Sequence, residues 1–386
     1  MSTDIDIQRM MSMAPRVRLG ELIMVTDVRN TDAQLDENDV RGISTSKEFI
    51  PTKANLANVS LSTYKIVAPG EFCYVADTSR RGDKIALAYN EGNDNYLISS
   101  IYTSFKVKDE NVLIPRYLYL LFTRAEFDRY SRFNSWGSAR ETFDWSEFER
   151  VEIPLPSIEV QREIVAVYEG LRKTAEQNEA MVEPLAKACH AYIVDCKEKY
   201  PNVRLGDYIA DYNERNSNGL LKEKDVRGIS TEKVFTPTKA KLAGVSLNGY
   251  KLVQPRTFAY VADTSRRGDK VALGYNILDK PILISSIYTT FRCKDDGVLN
   301  SEYLYLFLDR EEFDRYSRFN SWGSARETFD WSEMERVQIP LPPIEVQRAI
   351  VNLYHCSEEA KAIANEARNL MKTICPALVQ KAAHSL

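Results

Sequence analysis

Two strings in this 386-residue chain gather guanidinium, ammonium, hydroxyl and amide groups around a glycine, and each string occurs twice. The first is Ser79-Arg80-Arg81-Gly82-Asp83-Lys84, which returns as Ser265-Arg266-Arg267-Gly268-Asp269-Lys270. The second is Asn134-Ser135-Trp136-Gly137-Ser138-Ala139-Arg140, which returns as Asn320-Ser321-Trp322-Gly323-Ser324-Ala325-Arg326. An arginine fork matches guanine O6 and N7 in the major groove, an asparagine amide matches adenine, and lysine and serine suit phosphate oxygens. These groups therefore offer recognition of a double helix, with Trp136 expected to pack its loop against the domain. A third set is Arg41, Lys53 and Ser100-Ile101-Tyr102-Thr103, repeated as Arg227, Lys239 and Ser286 to Thr289. Here Tyr102 is expected to be a core or cross-strand residue rather than a contact.

Catalytic patterns are missing. The chain has no GxxxxGK[ST] phosphate loop, no glycine-rich adenosylmethionine loop and no Asn/Asp-Pro-Pro-aromatic string. Asp144 with Glu147 reads as a solvated helix start rather than a nuclease pair. Six cysteines and three histidines make no CxxC or HxxxH pair; only Cys189 with His190, or Cys375, offer ligand atoms, a helix-borne cysteine reads as a small hydrophobe, and neither a metal nor a cofactor is expected. A net charge of -4 argues against coating nucleic acid by electrostatics alone, so any DNA contact must be local or shared with a basic partner. No apolar run reaches membrane-spanning length and the N-terminal stretch has no secretory pattern, which points to the cytoplasm.

The elements that must position these turns are themselves duplicated. Every matched stretch recurs 186 residues later without a gap, from Val17-Arg18-Leu19-Gly20 at Val203 to the 22-residue run Glu126–Glu147 at Glu312–Glu333. A period this long makes each copy a folded domain with its own core. From about Val17 to Leu155, and from Val203 to Leu341, short β-like runs such as Tyr64–Val67 and Lys84–Tyr89 alternate with Gly, Asn, Asp and Pro punctuation. The fold class is α+β, and the pattern of Leu118, Leu121, Phe122 and Ala125 predicts one helix over Pro115–Tyr130 in each copy.

After Ile153-Pro154-Leu155-Pro156-Ser157 the pattern changes. Val160, Ile164, Val167, Leu171, Thr174, Asn178, Met181, Leu185, Ala188 and Tyr192 recur at alternating spacings of four and three. In the second copy the seam is Val346, Ile350, Leu353, Ser357, Ala360, Ala364, Ala367, Met371, Ile374 and Leu378. Each is a heptad seam, mixed in polarity, suited to packing the two helices on each other. A helix of roughly 38 residues spans roughly 57 Å, enough to act as a rigid spacer. Pro184 and Pro376 predict a kink or break in each.

A globular domain ending in IPLPSIEVQREIV (Ile153–Val165), repeated as IPLPPIEVQRAIV (Ile339–Val351), resembles the specificity subunit of type I restriction-modification systems. The Gly-Ser-Ala-Arg strings at Gly137 and Gly323 also fit that family; Val160 and Val346 stand where an acidic residue is frequent. The resemblance implies target-recognition domains at 1–156 and 201–342, separated by long antiparallel helices at 157–200 and 343–386, in a pseudo-two-fold arrangement. It implies double-stranded DNA as ligand and a non-catalytic role. The partners would be two methyltransferase subunits that bring adenosylmethionine, and restriction subunits that bring ATP dependence. Because the two domains are nearly identical, the expected target is an interrupted palindrome. The differing segments Asn90–Asn95 and Asn276–Pro281 could break that symmetry at one base. The alternatives are a type IIB-like system, and a coiled-coil scaffold whose paired domains bind protein.

Overall fold

The computed structural model describes residues 14–384 apart from 80, 81, 83, 139, 265–269 and 325. Two compact units divide the described residues: Asn178–Ala362 forms the second, and the residues up to Gln177 together with those from Ile363 form the first.

In the first unit the strands are β1 (Arg16–Arg18), β2 (Ile23–Thr26), β3 (Arg41–Ile43), β4 (Phe49–Pro51), β5 (Lys65–Val67), β6 (Phe72–Tyr74), β7 (Leu87–Tyr89), β8 (Tyr96–Ile98), β9 (Thr103–Val107) and β10 (Glu152–Pro154). The helices are α1 (Leu19–Leu22), α2 (Pro115–Phe122), α3 (Ala125–Phe133), α4 (Trp145–Arg150) and the first half of α5 (Ile158–Lys199), which continues past Gln177 into the second unit. A four-stranded antiparallel sheet in the order β2-β9-β6-β7 is the centre. The place of β6 as one of its two inner strands explains why Phe72 to Val75 is apolar without alternation. Phe72 and Tyr74 face the main core, which they share with Phe105, Phe122, Phe143 and Phe148, whereas Cys73 and Val75 face a smaller core with Ile43, Val67, Ala86 and Ile98. A strand covered on both sides has no solvent face to mark with polar residues.

The two ends of the domain meet. β1 pairs antiparallel with β10, Val17 opposite Ile153, and Leu155 donates its amide to the Pro15 carbonyl at 2.9 Å. The repeated VRLG and IPLP strings are thus the two halves of one clasp, after which the chain enters α5.

Where one helix was expected over Pro115–Tyr130, the chain folds as α2 and α3, broken at Thr123-Arg124. Thr123 Oγ1 donates to the Leu120 carbonyl at 2.8 Å and Arg124 is extended, so α3 leaves in a new direction. Apolar periodicity persists across the break because both helices bury onto the same core.

The second unit repeats the order with β11 (Asn202–Arg204), β12 (Ile209–Asp211), β13 (Arg227–Ile229), β14 (Phe235–Pro237), β15 (Lys251–Val253), β16 (Phe258–Tyr260), β17 (Leu273–Tyr275), β18 (Ile282–Ile284), β19 (Thr289–Cys293) and β20 (Gln338–Pro340). Its helices are α6 (Ser301–Leu308), α7 (Glu311–Phe319), α8 (Trp331–Arg336) and the first half of α9 (Ile344–His384), which from Ile363 belongs to the first unit, and its central sheet runs β12-β19-β16-β17. Phe258 stacks on Phe291 at 4.7 Å, as Phe72 does on Phe105 at 5.0 Å.

Both long helices run on through Pro184 and Pro376 without a break. Within the second unit α5 and α9 are antiparallel. Cys189 Sγ contacts the Ile350 carbonyl at 3.7 Å, and Ser357 Oγ donates to the Val182 carbonyl at 3.1 Å, so one number falls as the other rises. In the first unit Met371 of α9 packs on the core that holds Tyr168 and Leu171. The α9 seam matches expectation at Ile350, Ser357, Ala360, Ala364 and Ala367, all buried. The α5 seam does not: beyond Ile164 the buried positions are Tyr168, Ala175, Cys189, Ile193 and Cys196, while Val167, Met181 and Tyr192 are exposed. The apolar side chains of α5 are spread round the helix, so spacing alone selects a line one residue away from the one that packs.

A candidate nucleic-acid interface at one end of each sheet

Three of the candidate segments leave the same end of the central sheet. Tyr74, the last residue of β6, pairs with Leu87 at the start of β7 and with Thr103 at the start of β9. The Ser79–Lys84 turn therefore connects β6 to β7 at that end, and Ile101-Tyr102 precedes β9 at the same end. The Asn134–Arg140 turn is brought there by backbone pairing, with the Phe143 amide donating to Ala76 at 2.8 Å and the Thr78 amide donating to Glu141 at 3.0 Å. The second unit repeats both bonds, Phe329 to Ala262 at 2.8 Å and Thr264 to Glu327 at 3.1 Å. The register of Tyr260 with Leu273 and Thr289 completes the correspondence.

A buried ion pair anchors this end from below. Lys47, in the β3–β4 turn at φ 68°, sends its ammonium to Asp128 of α3 and to the Ile85 carbonyl at 2.8 Å. Asp128 in turn accepts the Ile85 amide at 3.1 Å. Desolvation pulls the Lys47 ammonium below the usual lysine range against the opposing pull of Asp128. Lys233 at φ 55° repeats the ion pair with Asp314 at 3.0 Å but donates to other carbonyls, those of Leu308 and Asp309, both at 2.9 Å. A buried charge without its partner is costly, so the pair fixes the exit of the arginine turn against α3. Nothing in the spacing of the two residues, 81 apart, signals this contact.

The candidate residues separate by environment. Lys84, Ser138, Arg140, Ser324 and Arg326 are exposed at the sheet end. Lys270 is exposed and pairs with Glu232 at 3.1 Å. Ser79 is also exposed, with its hydroxyl donated to Asp77 at 2.7 Å. Arg80, Arg81, Ser265, Arg266 and Arg267 lie outside the described residues, as does the side chain of Cys375.

Other candidates turn inward. Ser135 and Ser321 are buried and donate to the carbonyls of Ser131 and Ser317, both at 2.6 Å, so their hydroxyls shape the turn. Asn134 and Asn320 close the C-terminal ends of α3 and α7 by donating to Tyr130 at 2.9 Å and Tyr316 at 2.8 Å. Arg41 folds back on the Val40 carbonyl at 3.2 Å and over the Tyr96 ring at 4.9 Å; Arg227 binds the Lys224 and Val226 carbonyls at 2.6 and 3.0 Å. Tyr102 packs on the smaller core, as its sequence suggested.

Trp136 corrects the expectation made for it: it is 63% exposed, and Trp322 is 64% exposed. Phe133 and Phe319 stand 79% and 80% exposed at the ends of α3 and α7. The loop needs no tryptophan packing because the backbones of Trp136 and Thr142 exchange two hydrogen bonds, at 3.0 and 2.9 Å. Gly137 sits at φ 141°, where a Cβ would lie 2.0 Å from the Arg140 carbonyl oxygen. Only glycine closes this turn.

Among the described residues no group of three His, Cys, Asp or Glu side chains could hold a metal ion, and no helix is long and apolar enough to cross a membrane.

The helix that follows each domain is locked to it by a glutamine. Gln161, buried, accepts the Ile114 amide at 2.9 Å and donates to the Val112 and Pro156 carbonyls, both at 2.9 Å. Gln347 repeats this with Asn300, Val298 and Pro342 at 2.8, 2.9 and 2.8 Å. These are the glutamines of the two IEVQR strings.

No curated protein sequence matches the chain. Among solved structures it is similar to the type I restriction-modification S subunit from M. genitalium, with a TM-score of 0.55 at 12% identity over 99% of this chain and 98% of that one. The HsdS subunit from Thermoanaerobacter tengcongensis matches with a TM-score of 0.44 at 18% identity over 96% and 97%. The family model for the type I restriction modification DNA specificity domain matches residues 20–181 and 272–360, well over half the chain. With its duplicated sheet-end surface and the helix that follows each copy, the chain belongs to the type I restriction modification DNA specificity family.

Proposed function

We propose that each unit reads one half of a bipartite, nearly palindromic DNA site with the end of its central sheet, and that the chain supplies recognition without catalysis. The recognition domains span 1–156 and 201–342, and the helices at 157–200 and 343–386 set the spacing of the half-sites. The observation that carries this reading is the recurrence of one surface: Lys84, Ser138 and Arg140 in one unit, and Lys270, Ser324 and Arg326 in the other, on the same strand ends. The arginines at 80, 81, 266 and 267 belong to the same turns by sequence and complete the proposed contact set. Ser79 and Ser265 stand beside them. Arg41, Arg227, Asn134, Asn320, Ser135 and Ser321 act as residues that shape the surface.

Two adenine methyltransferase subunits would dock on the chain and bring adenosylmethionine, and restriction subunits would join them, in the cytoplasm. Their charge supplements a chain of net charge -4. The test is genome-wide mapping of N6-methyladenine in cells expressing the chain with its cognate methyltransferase subunit, against cells lacking the chain. A new bipartite palindromic motif is expected. An asymmetric motif removes the symmetry argument, and no new motif removes the recognition role.

A further inference from the structure

We propose that Trp136 and Trp322, supported by Phe133 and Phe319, are the apolar part of the DNA contact, set against sugars and base steps of the duplex while Arg140 and Arg326 take phosphates. This deepens the reading of the sheet end as the DNA face and rests on it. The four aromatic side chains are the largest exposed apolar groups at that end, and their exposure is the same in both units to within a percentage point. The backbone of each tryptophan is tied in place. Trp322 and Thr328 exchange backbone hydrogen bonds at 3.1 and 3.0 Å as Trp136 and Thr142 do, and Gly323, at φ 140°, allows the same close approach as Gly137. A ring displayed on backbone that is already hydrogen-bonded adds little backbone ordering to the cost of covering it, which favours a role in binding.

Charge identifies the occupant. The turn that presents each tryptophan also carries exposed Arg140 or Arg326 and Ser138 or Ser324, and it is bonded through Thr78 or Thr264 to the base of the arginine-rich turn. Aromatic rings and arginine are also frequent at protein–protein interfaces, but lysine and serine are depleted there, and this surface sets exposed Lys84 or Lys270 and Ser138 or Ser324 beside the rings. A surface mixing cations, hydroxyls and aromatic rings suits a nucleic acid, where apolar wedges enter base steps and rings stack on bases.

The experiment uses the whole chain in complex with its methyltransferase subunit, and the duplex that this wild-type complex selects from a random-sequence pool. Affinity is measured across a salt series for W136A/W322A, for W136F/W322F and for R140A/R326A. The alanine pair is expected to bind at least tenfold more weakly with an unchanged salt slope, and the phenylalanine pair to recover most of the loss. The arginine pair should lower the slope of log affinity against log salt by about two, one for each phosphate contact removed. Thermal midpoints equal to wild type establish that the turns remain folded. Wild-type affinity in W136A/W322A overturns the proposal while leaving the DNA face intact. Loss of the methyltransferase subunit from that variant also overturns it, in favour of a protein-docking role. A wild-type complex that selects no duplex overturns the DNA face itself.

Discussion

Gln161 shows how much one side chain can do when it is buried among backbone groups. Its amide is the hydrogen-bond partner of the Ile114 amide and of two carbonyls, so it joins helix, strand end and loop at one point. Gln161→Ala leaves these groups buried and unpaired, and should destabilise the first unit by about 2–4 kcal/mol, read in chemical denaturation. An unchanged midpoint would mean the clasp is replaced by water at no cost. A second residue-scale device differs between the copies. Arg116 meets Glu169 at 3.0 Å, but 186 residues on Glu302 meets His355 at 2.7 Å, so the carboxylate of the domain–helix contact moves from the helix to the domain. His355→Glu sets two carboxylates together, and Glu302→Arg should rescue it with a coupling of about 1 kcal/mol in a double-mutant cycle. Additive losses would show that the two positions do not communicate. The sequence displayed both glutamines inside recognisable strings, yet not their role, because a buried amide and a solvated one are written with the same letter. It displayed the two polar turns well, since their residues differ from any core pattern. It misled at Trp136, where an aromatic letter normally signals a core and the backbone already closes the loop.

At the scale of elements, the helix pair α2–α3 was invisible as a pair because its apolar pattern continues across the break. The α5 seam was displaced for a related reason, since apolar residues on several faces leave the packed line to be chosen by the partner. The corresponding break in the second unit makes a prediction of its own. Asp309 stands at the C-terminal end of α6, where Thr123 stands after α2 and donates to the Leu120 carbonyl. A carboxylate there opposes the negative end of the helix dipole, and burial raises its pKa above the ordinary 3.8. Asp309→Thr should stabilise the second unit by about 1 kcal/mol at neutral pH, from relief of that opposition and a gained cap bond. The sign with pH follows from the raised value: the fold disfavours the ionised carboxylate, a penalty fully present above the raised pKa and gone as pH falls below 3.8. Thermal denaturation should therefore show the gain shrinking on acidification. A gain that grew toward low pH would refute this account of Asp309.

For the whole molecule the repeat was legible in full, and the way each unit borrows from the other copy's helix was not. The second unit uses the second half of α5 against the first half of α9, and the first unit uses the second half of α9. A chain ending at Tyr200 has α5 alone, so its first domain loses the covering helix that carries Met371. A second copy could supply it, because Leu185 stands where Met371 does one repeat later, and Ile164 and Tyr168 stand where Ile350 and Tyr354 do. One position fits less well. Leu171 replaces Ser357, whose hydroxyl binds the Val182 carbonyl, so neither junction of the homodimer has the one bond of this kind that the full chain makes, and the second half of α5 must house a larger side chain. The half-length chain is therefore expected to be a dimer by light scattering, and to restore methylation of the palindromic site with its methyltransferase partner. Leu171→Ser should tighten the dimer by returning the hydroxyl. A monomeric half-length chain, or a dimer weakened by Leu171→Ser, would show that the two helices are matched to each other in ways that their shared repeat does not preserve.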